Sequence, residues 1–505
     1  MDFNCEKLSF DKTEKRNYSL NISAKELIND ETKLLTVTAN ACCNRCEMLN
    51  NEVLIEGVVN FCAILNDENG VKKIERSERF SLNEVCHGAV PSAYMFANAT
   101  CEKVRGYVET GNLMLNCTVN ISSLLITPCE IDCYMDIEGN EYRKLQQELE
   151  INKINFKKNI RFSVSEDKEL SPRLPEINNI LSVTPSVNVK EAHISAGQLI
   201  IGGDILLQTV YNSVDEYEPI VQVTDNFDFS QIIELKDIDS GNATVKLSIE
   251  EVATNVLPDE HGEIRKITYS IGLCGYVYTC ESEQICVISD LYSINNKLDC
   301  DFKTANITQV GEKFTYSTSK NIKVKLPENK MPVSRINSVS FMPSIIDKEI
   351  NGSKLHVKCI GEVCAIYTVS GSGETDGFNS SVEFDIMMDS LQINDADDVL
   401  INLCINDMQA ILISGYEIEV RAGFDLEFIT QKIKQCNIVS NVTVSENSDM
   451  PEFGIIIYNV QQGESLWDIC KKYGVDIDEV KKINNDLSDT PQANKKIYIF
   501  RALAV

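Results

Sequence analysis

The sequence predicts a mainly β protein: three tandem β-rich, sandwich-like repeats followed by a small C-terminal βααβ domain. Three observations lead there. The chain resembles itself at long period, its repeats are built from β-branched and aromatic runs broken by turn residues, and its texture changes abruptly after residue 450.

Three apolar runs each carry a glycine: Val53–Val59 with Gly57, Leu199–Ile205 with Gly202 and Gly203, and Leu355–Val363 with Gly361. Nine residues beyond Gly57, Gly203 and Gly361 the chain meets turn sequences at Asn66, Asn212 and Ser370. Gly and Asn accept positive φ there and Asp caps its own turn. Val37 and Val183 stand 20 residues before their glycines, and Val339 stands 22 before Gly361. Further upstream come Tyr18, Phe162 and Tyr316. Two independent sets of anchors with nearly the same period imply three divergent copies of one domain.

Each copy reads as β. Val, Ile, Thr and Tyr dominate Tyr269–Tyr278, and strict alternation in Gly415–Arg421 puts one face in a core and the other in water. Expected boundaries are 1–140 for the first repeat, 159–300 for the second, 312–446 for the third and 452–501 for the tail. The charged segment 141–158 is expected to form a linker helix. Other joints are expected near Asp301–Gly311 and Glu446–Pro451.

The tail begins with a strand, Gly454–Val460. Ser465 and Asp468 have capping-box spacing ahead of Leu466–Tyr473, Gly474 stops that helix, and Asp476 or Asp478 starts a second one. Lys496–Phe500 closes as a strand. Ile455, Ile456 and Ile457 put apolar surface on both faces of the first strand, so the face away from the helices must meet the preceding repeat or a partner. Trp467, the one tryptophan, can pack the small core, touch a partner, or both.

With 76 acidic against 47 basic residues the net charge is −29, which disfavours nucleic acid and bare anionic membrane as partners. The first residues lack the charged and apolar blocks of a secretory leader, and no apolar stretch is long enough to span a bilayer, so a cytosolic protein is expected. Nineteen cysteines, an odd number, then read as reduced, mostly buried thiols. Cys42, Cys43 and Cys46, with Cys129 and Cys133, are zinc candidates on spacing alone, but the other copies lack equivalents and no metal is assigned. Four histidines (His87, His193, His261, His356) form no marked nucleophile pair. Ser370–Gly377 is Gly-rich but acidic and lysine-free, a hairpin loop and not a phosphate cradle. Neither catalysis nor a cofactor is expected.

The segment Tyr458-Asn459-Val460-Gln461-Gln462-Gly463-Glu464-Ser465-Leu466-Trp467-Asp468-Ile469, continued by Tyr473-Gly474-Val475, Ile483-Asn484 and Lys496–Ile499, resembles the LysM domain. LysM domains usually bind N-acetylglucosamine glycans. The resemblance places such a groove at Gly463, Glu464, Ser465 and Leu466 and at the loop Asn484, Asn485, Asp486 and Leu487. Three β-rich repeats ahead of one LysM are similar to the SPOCS-domain family of clostridial spore proteins. That resemblance implies a mother-cell protein at the forespore surface that helps assemble the spore coat. It implies that the LysM holds a SpoIVA-like coat ATPase in place of sugar. The expected partner-binding residues are therefore Ile455, Ile457 and Trp467 together with Gly463, Glu464, Ser465, Leu466, Asn484, Asn485 and Asp486. The alternative is a glycan-binding protein of cortex peptidoglycan or cell wall.

Overall fold

A computed structural model describes residues 5–29, 31–49, 51–86, 92–235, 240–394, 396–445, 454–485 and 487–501. Eighteen strands fall into three sets of six. The first unit holds β1 (Glu6–Leu27), β2 (Lys33–Leu49), β3 (Glu52–Asp67), β4 (Gly70–Val85), β5 (Tyr94–Glu109) and β6 (Asn112–Cys133). The second holds β7 (Tyr142–Glu169), β8 (Ile177–Ser195), β9 (Gln198–Ser213), β10 (Ile220–Glu234), β11 (Ser240–Pro258) and β12 (Ile264–Ser293). The third holds β13 (Lys297–Lys325), β14 (Val333–Asn351), β15 (Lys354–Val369), β16 (Thr375–Asp389), β17 (Asp398–Ser414) and β18 (Glu417–Ser445). In every unit strands two to four form an antiparallel meander, and the sixth strand lies between the first and the fifth. In the first and third units these form two sheets, and in the second β8 pairs with β11 so that they run on as one six-stranded sheet. Each unit closes over an apolar core, as in the first, where Val37, Phe61, Phe80, Val104, Leu115 and Val119 are all buried together.

The register explains the sequence anchors. Val37, Val183 and Val339 stand opposite Ala63, Thr209 and Ala365, so the three valines are equivalent. Gly57 and Gly203 precede those partners by six residues and Gly361 by four, which accounts for the two extra residues in the third copy. An even displacement keeps the glycine on the same face of the strand. A Cβ on Gly57 or Gly203 would run into Phe80 or Phe229 from the fourth strand, whereas on Gly361 it would strike Phe341 from the second. Glycine is required for close approach of an aromatic ring, and the third copy takes its ring from the opposite neighbour.

The units are not independent bodies. The third unit reaches the first: Asn379 accepts from the Val37 backbone N–H (3.0 Å) and donates to its carbonyl. In the same way Gln222 of the second unit exchanges two 2.8 Å bonds with the Val339 backbone of the third. From the first unit the Cys62 thiol approaches the Leu181 carbonyl of the second (3.5 Å). The valine-bearing strand of each unit is thus read by the next, and the series closes into a ring of three. Leu35, Ile64, Leu181, Val210, Ile220 and Ile366, drawn from all three units, fill its centre.

On one side of the ring the first and sixth strands run on past the sandwiches. β7 pairs with β12 from Tyr142 to Glu169, and β13 with β18 from Lys297 to Lys325. The extensions converge into a three-ribbon stem. One layer of its core holds Leu8, Phe10, Leu149, Ile151, Val287, Ala305, Ile307 and Ile438, and a second holds Tyr134, Ile137, Tyr142, Ile288, Leu291, Val439 and Val442.

The stem corrects two expectations. Residues 141–158 form no linker helix: Glu141 is in a turn and 142–158 are strand within β7, because the partner strand and the stem core outweigh the helix-forming tendency of their Glu, Lys, Gln and Leu. The joint expected at Asp301–Gly311 lies inside β13. The joint expected at Glu446–Pro451 lies outside the described residues. The Ser370–Gly377 segment is a hairpin turn, with Gly371 and Gly373 at φ of 91° and 73°. Among the described residues no helix is long and apolar enough to cross a membrane.

Candidate partner-binding face

The C-terminal domain consists of β19 (Gly454–Asn459), α1 (Leu466–Tyr473), α2 (Ile477–Ile483) and β20 (Lys496–Arg501). Ser465 caps α1 in a complete capping box with Asp468, and Gly474 ends it in the left-handed conformation at φ 60°. Asp476 caps α2. The strands pair antiparallel, with Ile455 opposite Phe500 and Ile457 opposite Tyr498.

Alternation then divides the sheet. Ile497 and Ile499 are fully buried with Val460, Leu466, Ile469, Cys470, Val475 and Val480, and Ile456 packs against them. The outer face carries Ile455 (67% exposed), Ile457 (62%), Tyr498 (46%) and Phe500 (45%). Among the described residues no part of the repeats covers it. Four large apolar side chains in two facing pairs form a continuous strip, which is the kind of surface that a partner buries.

The remaining expected site residues behave differently. Trp467 turns toward the stem: its indole N–H donates to Asp290 (2.7 Å), and its ring meets Tyr292 edge-on at 4.9 Å. Leu466 is core, and its N–H is used on the Asp489 carbonyl (2.8 Å). The Glu464 carboxylate accepts from the Tyr458 hydroxyl (2.7 Å) and the Gln461 N–H (2.8 Å), both of which hold it below the usual carboxylate range. Gly463, at φ 86°, shapes that turn, and Ser465 spends its hydroxyl on the cap. Asn484 is buried and ties the loop to β20, donating to the Tyr498 carbonyl (2.7 Å) and accepting from its N–H (2.8 Å). Asn485 is exposed, and Asp486 lies outside the described residues. Trp467, Leu466, Glu464, Ser465 and Asn484 are therefore engaged within the chain, and the structure leaves Ile455 and Ile457 open.

Sequence reasoning missed the socket that holds the domain. Tyr292 at the end of β12 enters the small core and donates to the Val475 carbonyl (2.8 Å). Lys471 joins Trp467 on Asp290 (2.5 Å), Arg143 pairs with Asp476, and Arg501 donates to the Ile294 carbonyl (3.2 Å). The β12 register shifts between Ile288 and Asp290, a bulge that re-aims the strand end. These partners lie far apart in the chain and no local pattern marks them; the two-residue spacing of Asp290 and Tyr292 on a strand is the one local signal of a shared face. The outer residues Tyr498 and Phe500 were legible as the alternate positions of a strand.

Among the described residues no group of three or more His, Cys, Asp or Glu side chains is placed to hold a metal. The neighbour of Cys42 is Cys274 of the second unit.

Comparison with known proteins supplies two domain matches. The SPOCS domain of SipL matches residues 176–257, which run from β8 to the end of β11 in the second unit. The LysM domain matches residues 458–500. The chain thus carries both domains, and the six-strand order around the SPOCS segment recurs in the flanking units. The SpoIVD-associated factor A of Bacillus subtilis is 61% identical over 33 residues, 6% of this chain and 8% of that protein. The chain therefore spans less than a tenth of that relative's length. No solved structure matches it.

Proposed function

We propose that this chain, in which a SPOCS domain stands ahead of a LysM domain, is a non-enzymatic adaptor of spore-coat assembly. In this reading it works in the mother cell at the forespore surface and binds a SpoIVA-like coat ATPase through its LysM domain. One observation carries the reading: the LysM domain is fixed to the stem and presents the apolar strip Ile455, Ile457, Tyr498 and Phe500 outward. Of the polar turn residues that could have faced a sugar, Glu464, Ser465 and Asn484 are committed to caps and loop ties. Supporting context comes from the two domain matches and from a relative named for its association with another protein, SpoIVD. An acidic chain of charge −29 suits basic protein surfaces better than phosphate backbones.

The test is capture of the coat ATPase from sporulating cells by the full chain and by the chain with Ile455→Glu, with N-acetylglucosamine oligomers titrated in parallel. Loss of ATPase capture by the variant is expected, with no sugar binding by either. Sugar binding without ATPase capture would establish the wall-binding alternative.

A further inference from the structure

The seam between the first and second units holds a pair of buried thiols that the adaptor function does not use. The Cys42 and Cys274 sulfurs lie 2.7 Å apart, with Cys42 1% and Cys274 7% exposed. Closing to the ~2.05 Å of a disulfide requires movement of well under an ångström. Both backbones are held in place. Cys42 sits in the β2–β3 ladder opposite Val58, and Cys274 lies in a central strand between Arg161 of β7 and Ser248 of β11. Asn40 and Asn60 of the first unit donate to the Ile249 and Glu250 carbonyls of β11 (2.9 and 3.4 Å), which fixes the two units against each other at this level.

A cavity of about 230 Å³ opens beside the pair, with Cys274, Cys43, Cys46, Arg45 and Arg161 in its wall. It is large enough for hydrogen peroxide, since a water molecule takes roughly 30 Å³ of the liquid. We propose that Cys42 and Cys274 are a peroxide-driven cross-link that staples the first unit to the second. The Cys274 sulfur attacks one peroxide oxygen. The O–O bond breaks, Cys274 becomes a sulfenic acid, and the departing hydroxide takes the proton that Cys274 gives up and leaves as water. The Cys42 sulfur then attacks Cys274, the S–S bond forms and the S–O bond breaks. The second hydroxide leaves as water with the Cys42 proton. Two thiols are oxidised and one peroxide is reduced to two waters.

The pair is unsymmetrical in the sense this order needs. A hydrogen bond from the Cys42 thiol holds Cys274 below the usual thiol range, helped by the Arg161 guanidinium, while Cys42 itself is raised. Cys43 and Cys46 share the cavity, but burial pushes each up to about 12, leaving them protonated. The thiolate is the attacking form.

The experiment treats the reduced full chain with hydrogen peroxide, alkylates the remaining thiols and maps linked peptides without reductant. A Cys43→Ser variant is run beside it to separate the two adjacent cysteines. A Cys42–Cys274 peptide is expected from both folded proteins, and it should be scarce when the chain is oxidised in urea. The oxidised chain should unfold several degrees higher and lose that gain on reduction. With Cys274→Ser, Cys42 should remain alkylatable; should that variant fail to fold, the peptide map of the unsubstituted chain decides. Peroxide that leaves Cys42 free, carries Cys274 to the sulfinic acid, or yields the linkage equally in urea overturns the proposal.

Discussion

Ile455 faces Phe500 across the LysM sheet, and each leaves about half or more of its surface in water. A carboxylate at position 455 is therefore tolerated by the free domain but desolvated beneath a partner. Ile455→Glu should leave unfolding within about 0.5 kcal/mol of the parent. It should weaken partner capture by at least about a hundredfold, from ~1–2 kcal/mol of lost apolar burial and more from the charge. Differential scanning calorimetry and a binding titration check the two halves. A substitution of Trp467 would not make the same test, because its indole is anchored on Asp290. Asp476 offers a separate handle on docking. Burial works to raise its carboxyl, but the Glu479 N–H and the Arg143 guanidinium outweigh that and hold it below the ordinary value. A carboxyl lowered in the folded state stabilises fully above its unfolded pKa of about 3.9 and loses that stability as pH falls through the lower folded value. Asp476→Asn keeps an N-cap yet removes the ion pair, so the acid-side loss of docking stability should flatten in that variant's pH–stability profile. Thiol accessibility gives a third check. Cys5 and Cys286 are the exposed cysteines, so native titration should show two fast groups, with the rest released mainly on unfolding.

At the scale of elements, β7 shows where a sequence stops being legible. Leu145 and Leu149 sit four apart among good helix formers, and the local pattern reads as helix. Leu149 and Ile151, two apart and both buried, carry the strand period, but their partners belong to β12, β13 and β18, beyond any local window. By contrast the sandwich strands announce themselves, some by alternation, as in β3 and β6, and others, such as β9 and β15, by long apolar runs buried on both faces. The LysM caps were equally readable, since Ser465, Asp468, Gly474 and Asp476 act within one turn of their own positions. Of the candidate site, the outward isoleucines followed from parity alone. The commitment of Trp467 did not, since Asp290 lies 177 residues away. Ile151→Ala removes a fully buried side chain from the stem and should cost about 2–5 kcal/mol. Far-ultraviolet circular dichroism of the parent should show no helical signal beyond the LysM domain.

At the scale of the whole molecule the ring and the stem join three cores into one. Reading the repeats as separate cores predicts that each melts by itself. The shared clusters at the ring centre and in the stem predict a single cooperative transition for residues 6–445. Deleting residues 297–445 would uncover the Val37 strand of the first unit and the Gln222 face of the second. The truncated chain should associate or aggregate instead of remaining a folded monomer, which size-exclusion chromatography with light scattering would show. Survival as a stable monomer would mean that the ring contacts contribute little.

The closure of that ring also governs stoichiometry. Three copies joined head to tail use every equivalent joining surface, so a fourth sandwich has no place to attach and the scaffold cannot lengthen by its own repeat contacts. Three homologous tips exist in principle, yet the Asp290 and Tyr292 socket belongs to the second unit alone and admits a single LysM domain. Fusion in one chain gives a threefold body one LysM domain, and so one copy of its outward apolar strip. Under the proposed docking, each chain contributes one such contact to a coat lattice.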